Sequence, residues 1–146
     1  MAIQGFGKAN FSDIRDFELK NNIKLPNDYT NFLLNYNGSN VELTDQNSIY
    51  IKEFREAVNI DVLFGLKTKN PELSIELWLS DYKSEMPNDT LIIGASYQHG
   101  LIVLLCASED TGVYYWDHAY QFPCSNDDSN TYFMADTFTD FVRGLI

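Results

Sequence analysis

The sequence has no apolar run of the roughly 18 residues that a membrane-spanning helix requires; its longest, Leu101 to Ala107, ends after seven. Behind Lys8 there is no continuous apolar segment of the secretory kind, so the expected compartment is the cytoplasm, with no membrane partner. Two cysteines, Cys106 and Cys124, are too few for a disulfide framework. Cys106 closes the apolar run and reads as a small buried hydrophobe. With His99 and His118 the two cysteines match no zinc spacing, so neither metal nor cofactor is expected. Gly-x-Ser-x-Gly, a phosphate loop, a dinucleotide fingerprint and His-Glu-x-x-His are all missing. Asp117 and His118 are adjacent and on a strand would point to opposite faces, which prevents them from acting as an orienter and its base. The acid pairs Glu109-Asp110 and Asp127-Asp128 sit in turn-like segments where solvated charge is expected. No catalytic residue is assigned.

Positive charge is scarce in the second half. From Ser84 onward Arg143 is the one Lys or Arg, against nine acids, and this segment carries −8 of the net −11. A phosphate backbone demands the opposite sign, which makes nucleic acid a poor partner and a basic protein a better one. Solubility alone is the alternative reading of the same acidity.

What the chain has in quantity is aromatic side chains: 10 Phe, 9 Tyr and 2 Trp, within a hydrophobic share of 45%. That excludes disorder through low hydrophobicity, and 146 residues fit one domain spanning 1–146. Asn10 or Ser12 can cap a helix from Phe11 to about Asn22, with Ile14, Phe17 and Phe11 inward. Pro26 opens a second helix in which Tyr29, Phe32, Leu33 and Tyr36 fall at i, i+3, i+4 and i+7, and Asn37-Gly38 ends it. Val41, Leu43, Ile49 and Ile51 read as strand contacts, and Val58 to Phe64 as a strand closed by Gly65. A helix from Pro71 to about Tyr82 places Leu73, Leu77 and Trp78 inward. Thr90–Ala95, Leu101–Ala107 and Val113–His118 follow as three strands on short Gly-bearing connections, which favour antiparallel hairpins. Leu101 to Leu105 does not alternate, so the middle strand is covered on both faces. After a polar loop, Ser125–Asn130, come Tyr132 and Phe133, then a short helix with Phe138, Phe141, Val142 and Leu145 on one side. The expected class is α+β: an antiparallel meander-type sheet with N-terminal helices and a short C-terminal helix packed mainly on one side.

Several pieces resemble the SUKH superfamily, which includes bacterial immunity proteins and a fungal cell-wall regulator. They are Leu25-Pro26-Asn27-Asp28-Tyr29, Phe32-Leu33 and Tyr36-Asn37-Gly38, then Leu63-Phe64-Gly65-Leu66, Leu91-Ile92-Ile93-Gly94, Gly112 through His118, and Thr137 through Phe141. They stand in the family's order and cover residues 11 to 145. Ser39 replaces a frequent second glycine, and the bend Ser96–Gly100 has one glycine where the family is richer. The resemblance implies a non-enzymatic protein that neutralises a co-encoded toxin, commonly a nuclease or deaminase domain, by binding it. A regulatory scaffold module without a toxin is the other reading.

On the strand Val113–His118, Tyr114, Trp116 and His118 share one face while Val113, Tyr115 and Asp117 share the other. The sequence leaves open which face is exposed. The candidate partner-binding set is Glu109, Asp110, Tyr114, Trp116, Asp117, Tyr120, Asp127 and Asp128: aromatic anchors with an acidic rim, as interface hot spots use.

Overall fold

The computed structural model of the chain describes residues 5–42, 48–107 and 110–143. Helix α1 (Phe11–Asn21) begins where the Asn10 side chain accepts the Ser12 N–H at 2.8 Å and ends at Asn22 in a left-handed conformation. It buries Ile14 and Phe17. Phe11 is 55% exposed and carries the Arg15 guanidinium 5.5 Å above its ring. At 3.6 residues per turn Phe11 lies roughly 120° around the helix from Phe17, which takes it off the inward stripe.

Helix α2 (Asn27–Asn35) starts one residue later than the proline implied, with Pro26 as the cap, and buries Tyr29, Phe32 and Leu33. Past its end, Asn37 adopts φ +48° and Gly38 φ +91°. The Asn37 side chain is buried and reaches across the chain: its Nδ2 donates to the Leu66 carbonyl at 2.9 Å and its Oδ1 accepts the Leu66 N–H at 2.8 Å. This approach needs glycine at 65, where a Cβ would sit 2.1 Å from the Asn37 carbonyl oxygen.

The strands are β1 (Ser39–Asn40), β2 (Ser48–Ile51), β3 (Glu56–Leu63), β4 (Thr90–Ser96), β5 (Leu101–Ala107), β6 (Asp110–Trp116) and β7 (Thr131–Ala135). All pairs are antiparallel, in the order β1-β3-β4-β5-β6-β7, with β2 on the first half of β3. Strand β6 begins three residues before Val113, because the ladder with β5 continues down to Ala107 opposite Asp110. It stops at Trp116, so Asp117 and His118 belong to the turn that follows. Leu101 through Leu104 in β5 are buried, as the unbroken apolar run implied, while Leu105 is half-buried. Tyr132 and Phe133 lie in β7, which adds a fourth strand to the meander. The antiparallel sheet with its helices is an α+β architecture.

Between β3 and β4 the expected helix divides. Pro71–Leu73 is one 3-10 turn, and Ser74 then caps helix α3 (Ile75–Tyr82) by accepting the Leu77 N–H. The cap resets the helical phase: Ile75 and Leu79 are buried, while Leu77 is exposed. Trp78 is half-buried, stacked between Phe64 and Tyr82 at ring separations of 5.0 and 5.8 Å. Helix α4 (Phe138–Arg143) packs through Phe138 on Tyr29 and Phe32 of α2. Leu43 and Leu145 lie outside the described residues.

One cluster of buried side chains links α1, α2, α3, α4 and the strands. On the sheet face carrying Ile102, Leu104, Cys106, Val113 and Tyr115, α1 reaches Cys106, and Phe54 and Phe122 pack on Tyr115. The opposite face carries Leu101, Val103, Leu105, Tyr114 and Trp116, and there Tyr82 of α3 meets Trp116 edge-on at 5.7 Å.

Replacing Asn37 with Ala leaves the buried Leu66 N–H and C=O without their partners, and should lower the unfolding free energy by about 2–4 kcal/mol. The measurement is the urea midpoint at unchanged slope.

Candidate functional site

Antiparallel register decides which side chains share the second face. Val103 stands opposite Tyr114, Leu101 opposite Trp116, and on the far side Phe133 opposite Tyr114 and Thr131 opposite Trp116. Tyr82 covers the Trp116 end. Beside it, Val103, Leu105, Tyr114 and Trp116 floor a groove of about 590 Å³. Glu85, Met86 and Pro87, which lead into β4, form one wall. Tyr120, Asp127, Asn130 and Thr131 form the other, and His118 lies at the Trp116 end, 5.7 Å from it between ring centres. Glu85 and Asp127 are the charged residues of the lining, which includes no Lys or Arg among the described residues.

The second wall is built by Asp117, which is fully buried. Its Oδ1 accepts the Gln121 N–H at 2.9 Å and its Oδ2 the Phe122 N–H at 3.0 Å, while its own N–H donates to the Asn130 carbonyl at 2.8 Å. A buried carboxylate is tolerated when its oxygens are satisfied in this way. The turn so closed sends Phe122 inward, stacked on Phe54 at 3.9 Å, and leaves Tyr120 outward, 46% exposed at φ +54°. The Tyr120 hydroxyl donates to Asp127 Oδ1 at 2.5 Å. That hydrogen bond to the carboxylate raises the Tyr120 phenol above its ordinary pKa. Asn126 Oδ1 accepts the N–H groups of Asp128 and Ser129, which fixes the loop carrying Asp127.

Four of the eight expected residues, Tyr114, Trp116, Tyr120 and Asp127, therefore meet around one groove. Asp128 is exposed on the same loop but does not line it. Asp117 is corrected from an interface acid to a buried one, because the turn after β6 needs both of its oxygens. Asp110 opens β6, of which only its backbone is described, and Glu109 lies outside the described residues. The candidate set missed Val103, Leu105, Glu85, Met86, Pro87, Thr90, His118, Asn130 and Thr131. Strand parity could have found Val103 and Leu105 only with the β5–β6 register in hand; the Glu85–Pro87 wall has no local signal.

Neither chemical reading gains a geometry. Among the described residues, no group of three or more His, Cys, Asp and Glu is placed to hold a metal ion. Asp117 spends its carboxylate on backbone N–H groups, and the buried His118 Nδ1 has no hydrogen-bond partner, so the two make no base and orienter. Cys124 contacts the Tyr132 hydroxyl at 3.2 Å and is exposed. Cys106 is buried as expected, and burial pushes its thiol up to about 12. Among the described residues no helix is long and apolar enough to cross a membrane.

The chain is thus an α+β protein whose antiparallel sheet carries an open aromatic groove with carboxylates at its rim. The sequence matches the SMI1 / KNR4 family (SUKH-1) over residues 8–144, and the chain belongs to that family. A search of curated protein sequences finds no match.

Asp117→Ala should destabilise the fold by about 2–4 kcal/mol through two stranded N–H groups, and Asp117→Asn by less, since its amide keeps one acceptor; thermal unfolding of both variants checks the order. In native protein at pH 8 a thiol reagent should label Cys124 alone, and in denaturant Cys106 as well, read as one and then two adducts by mass spectrometry.

Proposed function

We propose that this chain is an immunity protein of the SUKH kind, acting as one unit over residues 1–146 in the cytoplasm. It binds and neutralises a cognate toxin, a basic nuclease-type domain, and catalyses no reaction itself. The observation that carries this reading is the groove: aromatic side chains at its floor, Glu85 and Asp127 at its rim, and no Lys or Arg in its described lining. Family membership and the net charge of −11 support it. A nuclease is basic where it holds phosphates, and carboxylates set on a rigid surface can occupy that site in their place. Asp128, exposed beside Asp127, extends the acidic rim outward.

The test is calorimetric titration of the purified chain with the toxin domain encoded beside its gene, at low and at high salt. Binding should be tight and should weaken as salt screens the exposed charge pairs. The double variant Asp127→Lys, Asp128→Lys should bind at least about tenfold more weakly. Unchanged affinity in that variant removes the loop from the interface, and no binding at either salt favours a regulatory scaffold without a toxin.

A further inference from the structure

The groove has a more specific chemistry than acidity. Its floor offers the rings of Tyr114 and Trp116, and its rim the carboxylates of Glu85 and Asp127. A purely apolar ligand would strip water from those carboxylates without replacing it, and an anion would meet repulsion. A cation suits both parts, because an aromatic face attracts positive charge within about 6 Å of its centre while a carboxylate at the rim pairs with it. Guanidinium fits better than ammonium: it is planar, so it stacks on a ring, it holds less tightly to its water, and it presents two N–H groups to one carboxylate.

We propose that the groove is a receptor for an arginine side chain of the partner protein, stacked over the Tyr114 and Trp116 rings and paired with Asp127. The proposal rests on the reading of this chain as a protein-binding module. Asp127 is held in place for that pairing by the Tyr120 hydroxyl at 2.5 Å, so little ordering remains to be done on binding. The groove of about 590 Å³ exceeds one side chain, so residues beside the arginine enter with it. A second groove, between α1 and α3, differs in kind. There Asp13, Asp16 and Glu76 share the lining with Lys20, Lys67 and Lys83, and Lys67 already pairs with Asp13 at 3.0 Å.

The experiment titrates the full chain with capped Gly-Arg-Gly, Gly-Lys-Gly and Gly-citrulline-Gly peptides and follows the two indole N–H resonances by NMR. The Trp78 indole, whose Nε1 donates to the Glu72 carbonyl at 2.8 Å outside the groove, serves as the reference for an intact fold. The arginine peptide should shift the Trp116 indole saturably, and the neutral citrulline isostere should bind at least about tenfold more weakly. Lysine should fall between them. Asp127→Asn should weaken the arginine peptide by about three- to thirtyfold. Thr131→Lys, which brings a cation into the groove from the protein's own exposed strand, should abolish the shift with the Trp78 resonance unmoved. Equal binding of arginine and citrulline peptides, or an arginine shift that survives Thr131→Lys, overturns the proposal. Because the peptides need no toxin, the two readings fail separately. Arginine binding without toxin binding removes the immunity role alone, whereas toxin binding indifferent to Thr131→Lys removes the arginine receptor alone.

Discussion

The buried carboxylate of Asp117 fixes the geometry on which the rest of the groove depends. Left without hydrogen-bond partners in a low-dielectric interior, a carboxyl group carries a desolvation cost that is a large fraction of the folding free energy. The chain resolves this by folding back on itself, so that Gln121 and Phe122 present their N–H groups to it. One electrostatic requirement thereby sets a covalent path. Phe122 must enter the core against Phe54, Tyr120 must stay outside, and the Asn126–Asn130 segment must return to the Asp117 N–H before β7 can pair with β6. The wall of the groove is a consequence of satisfying a charge beneath it.

The two faces of the sheet then divide the work. On one, Ile102, Leu104, Val113 and Tyr115 are buried beneath helices and the rings of Phe54 and Phe122, and the Asn37–Leu66 contact locks α2 to the chain leaving β3. On the other, Trp78 of α3 stacks on Phe64 and Tyr82 meets Trp116, and beside them lies the groove.

Much of the architecture was legible because local rules wrote it. The period of Tyr29, Phe32 and Leu33 marked α2, Asn10 capped α1, and short Gly-bearing connections forced antiparallel pairing. Where local reading failed, a competing local rule had won: Ser74 recapped the chain and turned α3 so that Ile75 and Leu79 are buried and Leu77 is exposed, while Leu73 in the preceding turn still packs on the core. At the groove, composition pointed to aromatic and acidic residues after Gly112, and four of these do converge. Asp117 was misplaced because a one-dimensional pattern cannot tell an acid that seeks solvent from one whose oxygens are met by N–H groups four and five residues on.

By itself the sequence determined α1, α2, the antiparallel pairing of β4, β5 and β6, and the strand parity that separates Tyr114 and Trp116 from Tyr115, since each follows from neighbours within a few residues. Only the tertiary structure decided which parity is covered. That choice rests on the crossing of α3 over β4–β6, on the pairing of Val103 with Tyr114, and on the arrival of Glu85–Pro87 beside a strand much later in the chain. These are contacts between distant segments, fixed by packing and register, for which no stretch of the chain carries a local signal.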